Sequence, residues 1–309
     1  MSGWLASGEG VFAVDLGGSK LMTSAVTAEG HLYAVRRVEP VPKTPTEILE
    51  VIADHRDRLV ENGHVLRGAG VAIPGLTDSG AGLWRHASFS GIRDWVVREA
   101  VERRLGIPVA IANDVDACAL AEARWGGARG KRDFLWITLS NGVGGALFLN
   151  GELYAGAGCA AGEIGHMKAV RGGHSCGCGG RGCLEQYASG RAIARAYAER
   201  TGGSPLGARE IAELAKRGEV HALEAFREAG RHLGAVLADA ISLLNVPLVF
   251  LGGGVAQSFA LMRETFDATM VENLYPEANP LPEVQVTQLG YEAALLGAAS
   301  VFLQSDNIP

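Results

Sequence analysis

What the chain lacks narrows its class before any motif is read. No uninterrupted apolar run in its 309 residues approaches the roughly 20 that a helix needs to cross a bilayer. The opening MSGWLASGEG has neither the basic start nor the apolar stretch of a secretory signal. Basic stripes are missing as well: the formal charge is −6 and the acidic residues are spread along the chain. These absences predict a cytoplasmic protein with no membrane partner and no nucleic-acid partner. Cysteine is scarce, five in all, yet three of the five fall between Cys176 and Cys183. Disulfides rarely persist in the cytoplasm, so that concentration points to a metal before a disulfide.

What is present reads as a soluble, folded chain. Apolar residues make up 48% and charged residues 20%, outside the range of disordered sequences. The length suits two domains, each able to bury its own core. Glycine is abundant, with 43 residues, which implies many turns and close backbone approaches.

The pattern VFAVDLGGSKLMTSAVTAEGHLYAVRRVEP predicts three consecutive antiparallel strands separated by a Gly-Gly turn and a Glu-Gly turn. A dinucleotide site or P-loop would place a helix after its glycines. The residues after Lys20 alternate like a strand instead, which excludes both. FLWITLSNGVGGALFLNGELYAG repeats the same strand, glycine turn, strand, turn, strand unit, and GHLYA and GELYA end the two copies alike. A duplicated fold with one copy per lobe follows from the repeat. Helices are predicted over TEILEVIADHRDRLVENG, over DWVVREAVERRLG from an Asp94 cap, over CLEQYASGRAIARAYAERTGG, and from about Val220 to Asn245. The expected organisation is a small α/β lobe of residues 1–120 joined by the C-terminal helix at about 291–309. A larger α/β lobe of residues 121–290 carries the cysteine loop.

Four stretches carry chemistry. The turns DLGGSK (Asp15, Gly17, Gly18, Ser19, Lys20) and SNGVGG (Asn141, Gly142, Gly144) can present backbone N–H groups to phosphate oxygens. Two such turns facing each other can grip a polyphosphate, with Asp15 placed to hold Mg²⁺. In IANDVDA a strand ends at Asn113 and Asp114 opens a helix. Ligands of α/β folds collect at the carboxyl ends of strands, so a carboxylate here is well placed and Asp114 is the candidate general base; a plain helix cap is the competing role. LGGGVAQS offers Gly253 and Gly254 to a nucleotide. In GHMKAVRGGHSCGCGGRGCLE, the spacing C-x-C-x4-C of Cys176, Cys178 and Cys183, with one imidazole, makes a closed tetrahedral zinc set. Spacing alone leaves His166 and His174 competing as the fourth ligand.

Together these motifs resemble the ROK family of sugar kinases and sugar-responsive repressors, through DLGGSK, the AND of IANDVDA, SNGVGG, AGEIGHM, CGCGGRGCLE and LGGGVA in that order. The resemblance implies a duplicated actin-like, hexokinase-like ATPase fold with ribonuclease H-like lobes and ATP and sugar in an interlobe cleft. It implies His166 as the fourth zinc ligand, Asp114 as catalytic base, and Asn113, Asp114, Glu163, His166 and Glu185 as sugar contacts. It also implies a homodimer. The chain departs from the family pattern at Asn141, where Thr is usual, at Asp116, where Asn is common, and at Ser88, where the family often has a sugar-contacting Asn. The expected activity is ATP-dependent phosphorylation of the primary (6-) hydroxyl of a hexose, glucose first, then N-acetylmannosamine or N-acetylglucosamine. A sugar-sensing repressor is the rival from another class. Only about ten residues precede VFAVDLGG, too few for the helix-turn-helix domain such relatives carry.

Overall fold

The computed structural model describes residues 9–86, 91–203 and 206–305. Ser88 lies outside the described residues. The chain divides into two units. One holds the residues up to Lys131, Leu153–Ala161 and the residues from Tyr291 onward; the other holds Arg132–Glu152 and Gly162–Gly290.

The first unit is built on a five-stranded sheet. Strands β1 (Glu9–Leu16), β2 (Leu21–Val26) and β3 (Leu32–Val38) form the antiparallel meander that the alternation predicts. Helix α1 (Pro45–Glu61) follows, opened by a capping box in which Thr44 accepts from the Glu47 amide and the Glu47 carboxylate reaches back. Strand β4 (Val65–Ile73) then pairs parallel to β1. Strands β5 (Leu76–Asp78), β6 (Leu83–His86) and β7 (Arg93–Val96) make a small separate antiparallel sheet. Helix α2 (Val97–Leu105), strand β8 (Val109–Asn113), parallel to β4, and helix α3 (Asp114–Trp125) complete the run.

Helix α2 departs from the sequence expectation. Asp94 does not cap it; Asp94 sits at φ +47° within β7, because Arg93 and Trp95 pair with His86 and Trp84. The strand pairing overrides a local cap signal, and the helix starts at Val97.

β1 is central, so nearly every residue is buried and it reads as a continuous apolar run. Phe12, Val14 and Leu16 share a core with Ile48 and Ile52 of α1 and Val101 and Leu105 of α2. The opposite face packs on the C-terminal helix, Ala293–Gln304. That approach depends on two glycines of β4. A Cβ on Gly70 would lie 1.7 Å from the Ala298 carbonyl oxygen, and one on Gly68 would lie 2.0 Å from the Phe302 ring.

The second unit repeats the plan. The second sheet comprises β9 (Phe134–Leu139), β10 (Val143–Leu149), the short edge strand β11 (Glu152–Tyr154), β12 (Leu248–Gly252) and β13 (Glu283–Val286). The strand order is β11-β10-β9-β12-β13, against β3-β2-β1-β4-β8 in the first sheet, the same permutation twice. Between β11 and β12 the chain forms the cysteine loop and helices α4 (Glu185–Ala188), α5 (Gly190–Thr201), α6 (Ala208–Lys216) and α7 (Val220–Leu244). The single helix expected from CLEQYASGRAIARAYAERTGG is broken at Ser189, whose extended backbone and side-chain bond to the Ala192 amide restart it as α5. Helix α8 (Arg263–Asn273) packs along α7 at Gly230 and Gly234, where a Cβ would lie within 2.7 Å of the Met262 and Phe266 carbonyl oxygens.

Candidate functional site

In the first unit, the carboxyl ends of the parallel strands β1, β4 and β8 gather the polar groups. Asp15 is the last but one residue of β1 and points to the face shared with Val11 and Ala13, a consequence of the period-two alternation. It is buried. Burial, then the negative charge of Asp114, push its pKa up to about 7, with Lys20 pulling the other way. The turn after it is closed by the Gly17 amide donating to the Lys20 carbonyl at 2.9 Å, and Lys20 Nζ stands 5.8 Å from the Tyr291 ring centroid. At the end of β8 the capping job falls to Asn113. Its Oδ1 accepts from the amides of Val115 (2.8 Å) and Asp116 (3.4 Å), and its Nδ2 donates to the Gly75 carbonyl at 2.9 Å. Asp114, the first helical residue, therefore is not the helix cap that competed with its role as a base.

In the second unit the corresponding turn is Ser140–Gly142, closed by the Ser140 amide donating to the Gly142 carbonyl at 2.9 Å. Gly144 is not in this turn but in β10, opposite Thr138. Gly253 follows β12 at φ +89°, against the Leu139 carbonyl. Glu185 meets the same turn: its Oε2 accepts from the Val143 amide at 3.2 Å.

The cysteine loop folds on itself through bridges between Lys168 and Cys183 and between Ser175 and Arg181. It brings His166, Cys176, Cys178 and Cys183 together, with one ligand atom from each lying within 4.8 Å of the others. His166 Nδ1 is 3.7 Å from Cys176 Sγ, and the sulfurs of Cys178 and Cys183 are 3.6 Å apart. A zinc–sulfur bond of about 2.3 Å gives a tetrahedral edge of about 3.8 Å, so these atoms already stand at zinc-binding separations. The other imidazole nitrogen, Nε2, lies 3.8 Å from Glu163 Oε2. His174, the competing ligand on spacing, lies instead against Tyr187 with its ring tilted by 41°, and Tyr187 in turn contacts His232. The Gly180 backbone N–H holds the Cys178 thiol below its ordinary pKa, while burial pushes the Cys176 thiol up.

Two cations in this unit escape sequence reasoning. Lys168 donates to Cys183 Sγ at 2.9 Å, supplying one positive charge beside three prospective thiolates. Arg191 donates from Nε to the Asn141 carbonyl at 2.9 Å. Exposed Lys and Arg ordinarily read as solvated surface, and only the spacing of Lys168 two residues from His166 hints at its role.

Two sheets of one strand order, each with a glycine turn between its first two strands, define the duplicated actin-like, hexokinase-like ATPase fold. A family model described as the ROK family matches residues 11–305, and the chain belongs to that family. It is similar to a glucokinase of Streptomyces coelicolor, 32% identical over 315 residues that cover 96% of this chain and 98% of the relative. An N-acetylmannosamine kinase of Escherichia coli is 31% identical over 93% of this chain and 96% of its own length. Among solved structures, a ROK family glucokinase from Streptomyces griseus in complex with glucose and AMPPNP superimposes with a TM-score of 0.84. It is 33% identical, with 96% of this chain and 99% of that one covered.

Proposed function

We propose that this chain is an ATP-dependent hexose kinase that phosphorylates the 6-hydroxyl of glucose. The observation that carries the reading is near full-length similarity to a glucokinase crystallised with glucose and AMPPNP, joined to a carboxylate pair, Asp15 and Asp114, at the strand ends of the first unit. In this reading Asp114 takes the proton of the sugar hydroxyl as its oxygen attacks the γ-phosphorus in line and ADP leaves. Asn113, Glu163, His166 and Glu185 hold the sugar, and the family resemblance adds Ser88, which stands where relatives often have Asn. The turns at Gly17, Gly18, Ser19 and Lys20 and at Asn141 and Gly142 bind the phosphates through backbone N–H groups, with Gly144, Gly253 and Gly254 beside the nucleotide. Mg²⁺, when bound near Asp15, neutralises charge on the transferring group. His166, Cys176, Cys178 and Cys183 hold a structural zinc that fixes His166 and leaves its second nitrogen for the sugar side. Family resemblance supports a cytoplasmic homodimer.

A coupled ADP-release assay across hexoses and amino sugars tests the reading. Glucose is expected to give the highest kcat/KM. Turnover of N-acetylmannosamine above glucose would transfer the assignment to that sugar, a reading favoured by the 31% identical kinase. Asp114→Ala is expected to lower turnover by about 10³-fold while sugar still binds; an unchanged rate would remove the base assignment.

A further inference from the structure

The turn Ser140–Gly142 is held along its length by one short segment, residues 185–191. The Gly190 amide donates to the Ser140 carbonyl at 2.7 Å. Arg191 Nε donates to the Asn141 carbonyl at 2.9 Å. Glu185 Oε2 lies so close to Gly142 that a Cβ there would stand 2.5 Å from it, and the same oxygen accepts from the Val143 amide. A terminal nitrogen of Arg191 is also 3.6 Å from Glu185 Oε1, so the two charged side chains face each other beside the turn.

The bonds to the carbonyls have a directional effect. In a trans peptide the C=O and the following N–H point opposite ways. Fixing the Asn141 carbonyl on Arg191 therefore aims the Gly142 N–H to the other side of the turn. Fixing the Ser140 carbonyl on Gly190 does the same for the Asn141 N–H. A phosphate-binding turn is useful only when its N–H groups are already aimed before the anion arrives. The Gly190 bond is main-chain and independent of side-chain identity; the Asn141 bond depends on a side chain.

We infer that Arg191 is a positioning residue for the phosphoryl donor: it locks the Asn141–Gly142 peptide so that the second glycine turn presents its amides to phosphate. The inference rests on the kinase reading and adds to it a residue with no assigned part. Arg191 is mostly exposed, so its replacement leaves the core intact. Its ion pair with Glu185 is long and partly solvated, and such pairs contribute little; the hydrogen bond to Asn141 carries the effect.

The test compares wild type, Arg191→Met and Arg191→Lys by calorimetric titration with Mg·AMPPNP, and separately with the sugar turned over fastest in the ADP-release assay. Arg191→Met is expected to weaken AMPPNP about fivefold, the worth of one ordinary hydrogen bond, and to raise KM for ATP with kcat much less affected. Its sugar affinity without nucleotide and its melting temperature are expected to stay at wild-type values. Arg191→Lys is expected to recover part of the loss, because an ammonium can reach the same carbonyl with a single donor. AMPPNP affinity unchanged in Arg191→Met overturns the inference, and so does an equal loss of sugar and nucleotide affinity. If wild type binds no AMPPNP, the kinase reading itself falls, which the wild-type titration reports separately.

Discussion

Asp15 is a carboxylic acid kept where its charged form is disfavoured. Its neighbours are the sheet, a second carboxylate and Cys118, whose thiol burial and the Asp114 and Asp15 charges push well above its ordinary pKa. Because the folded pKa of Asp15 is about 7 against an ordinary 3.8, the folded chain binds this proton more tightly than the unfolded chain. The associated stability is complete below about pH 4 and is lost as pH rises through about 7. Asp15→Asn should therefore stabilise the protein free of Mg²⁺ and nucleotide at pH 8, on the order of a few kcal/mol, and do little at pH 4. Thermal melts at the two pH values check this; parallel shifts at both would contradict it. Sequence reading located Asp15 at a strand end beside glycines. It could not supply the burial, because the C-terminal helix that packs on β1 is far away in the chain. The same distance hid Arg191 and Lys168, whose partners are a turn carbonyl and a thiol that only folding brings near.

At the scale of elements, short apolar runs bounded by paired turn residues made both meanders legible, because adjacent strands need only local signals. Boundaries set by tertiary partners were less legible. Asp94 looked like a cap until strand pairing claimed it, and Ser189 broke a continuous amphipathic run because the chain must turn there to return Gly190 to Ser140. Packing between elements gives a sharper test. Gly70→Ala puts a methyl group against the main-chain oxygen of Ala298, which cannot rotate away. It should destabilise the protein by about 3 kcal/mol. Gly158→Ala, with no neighbouring heavy atom within 4 Å of the added carbon, should change stability by less than about 0.5 kcal/mol. Urea denaturation of the two variants compares them, and equal midpoints would refute the close-packing account.

For the whole molecule, the cysteine loop gives the clearest expectation. Elemental analysis of the purified protein should find about one zinc per chain. Chelation, or Cys178→Ser, should lower the melting temperature by roughly 5 °C, corresponding to about 2 kcal/mol, and weaken sugar binding through His166. Protein purified without metal yet equally stable would refute it. The cluster was legible because its cysteines crowd a chain otherwise poor in them. Spacing alone leaves His166 and His174 open, the family resemblance names His166, and the fold gathers His166 with the three cysteines while His174 lies against Tyr187.

The packing of the last helix on β1 and β4 also sets an order of events during synthesis. The first unit draws on residues from both ends of the chain, so its sheet leaves the ribosome with one face bare. At about 5–20 residues per second, that apolar face waits tens of seconds for residues 293–304, while the second unit has nearly all of its own chain by then. The nascent protein should thus depend on chaperone cover for the half that was made first, and a stop codon just before Ala293 would leave that half without its final layer.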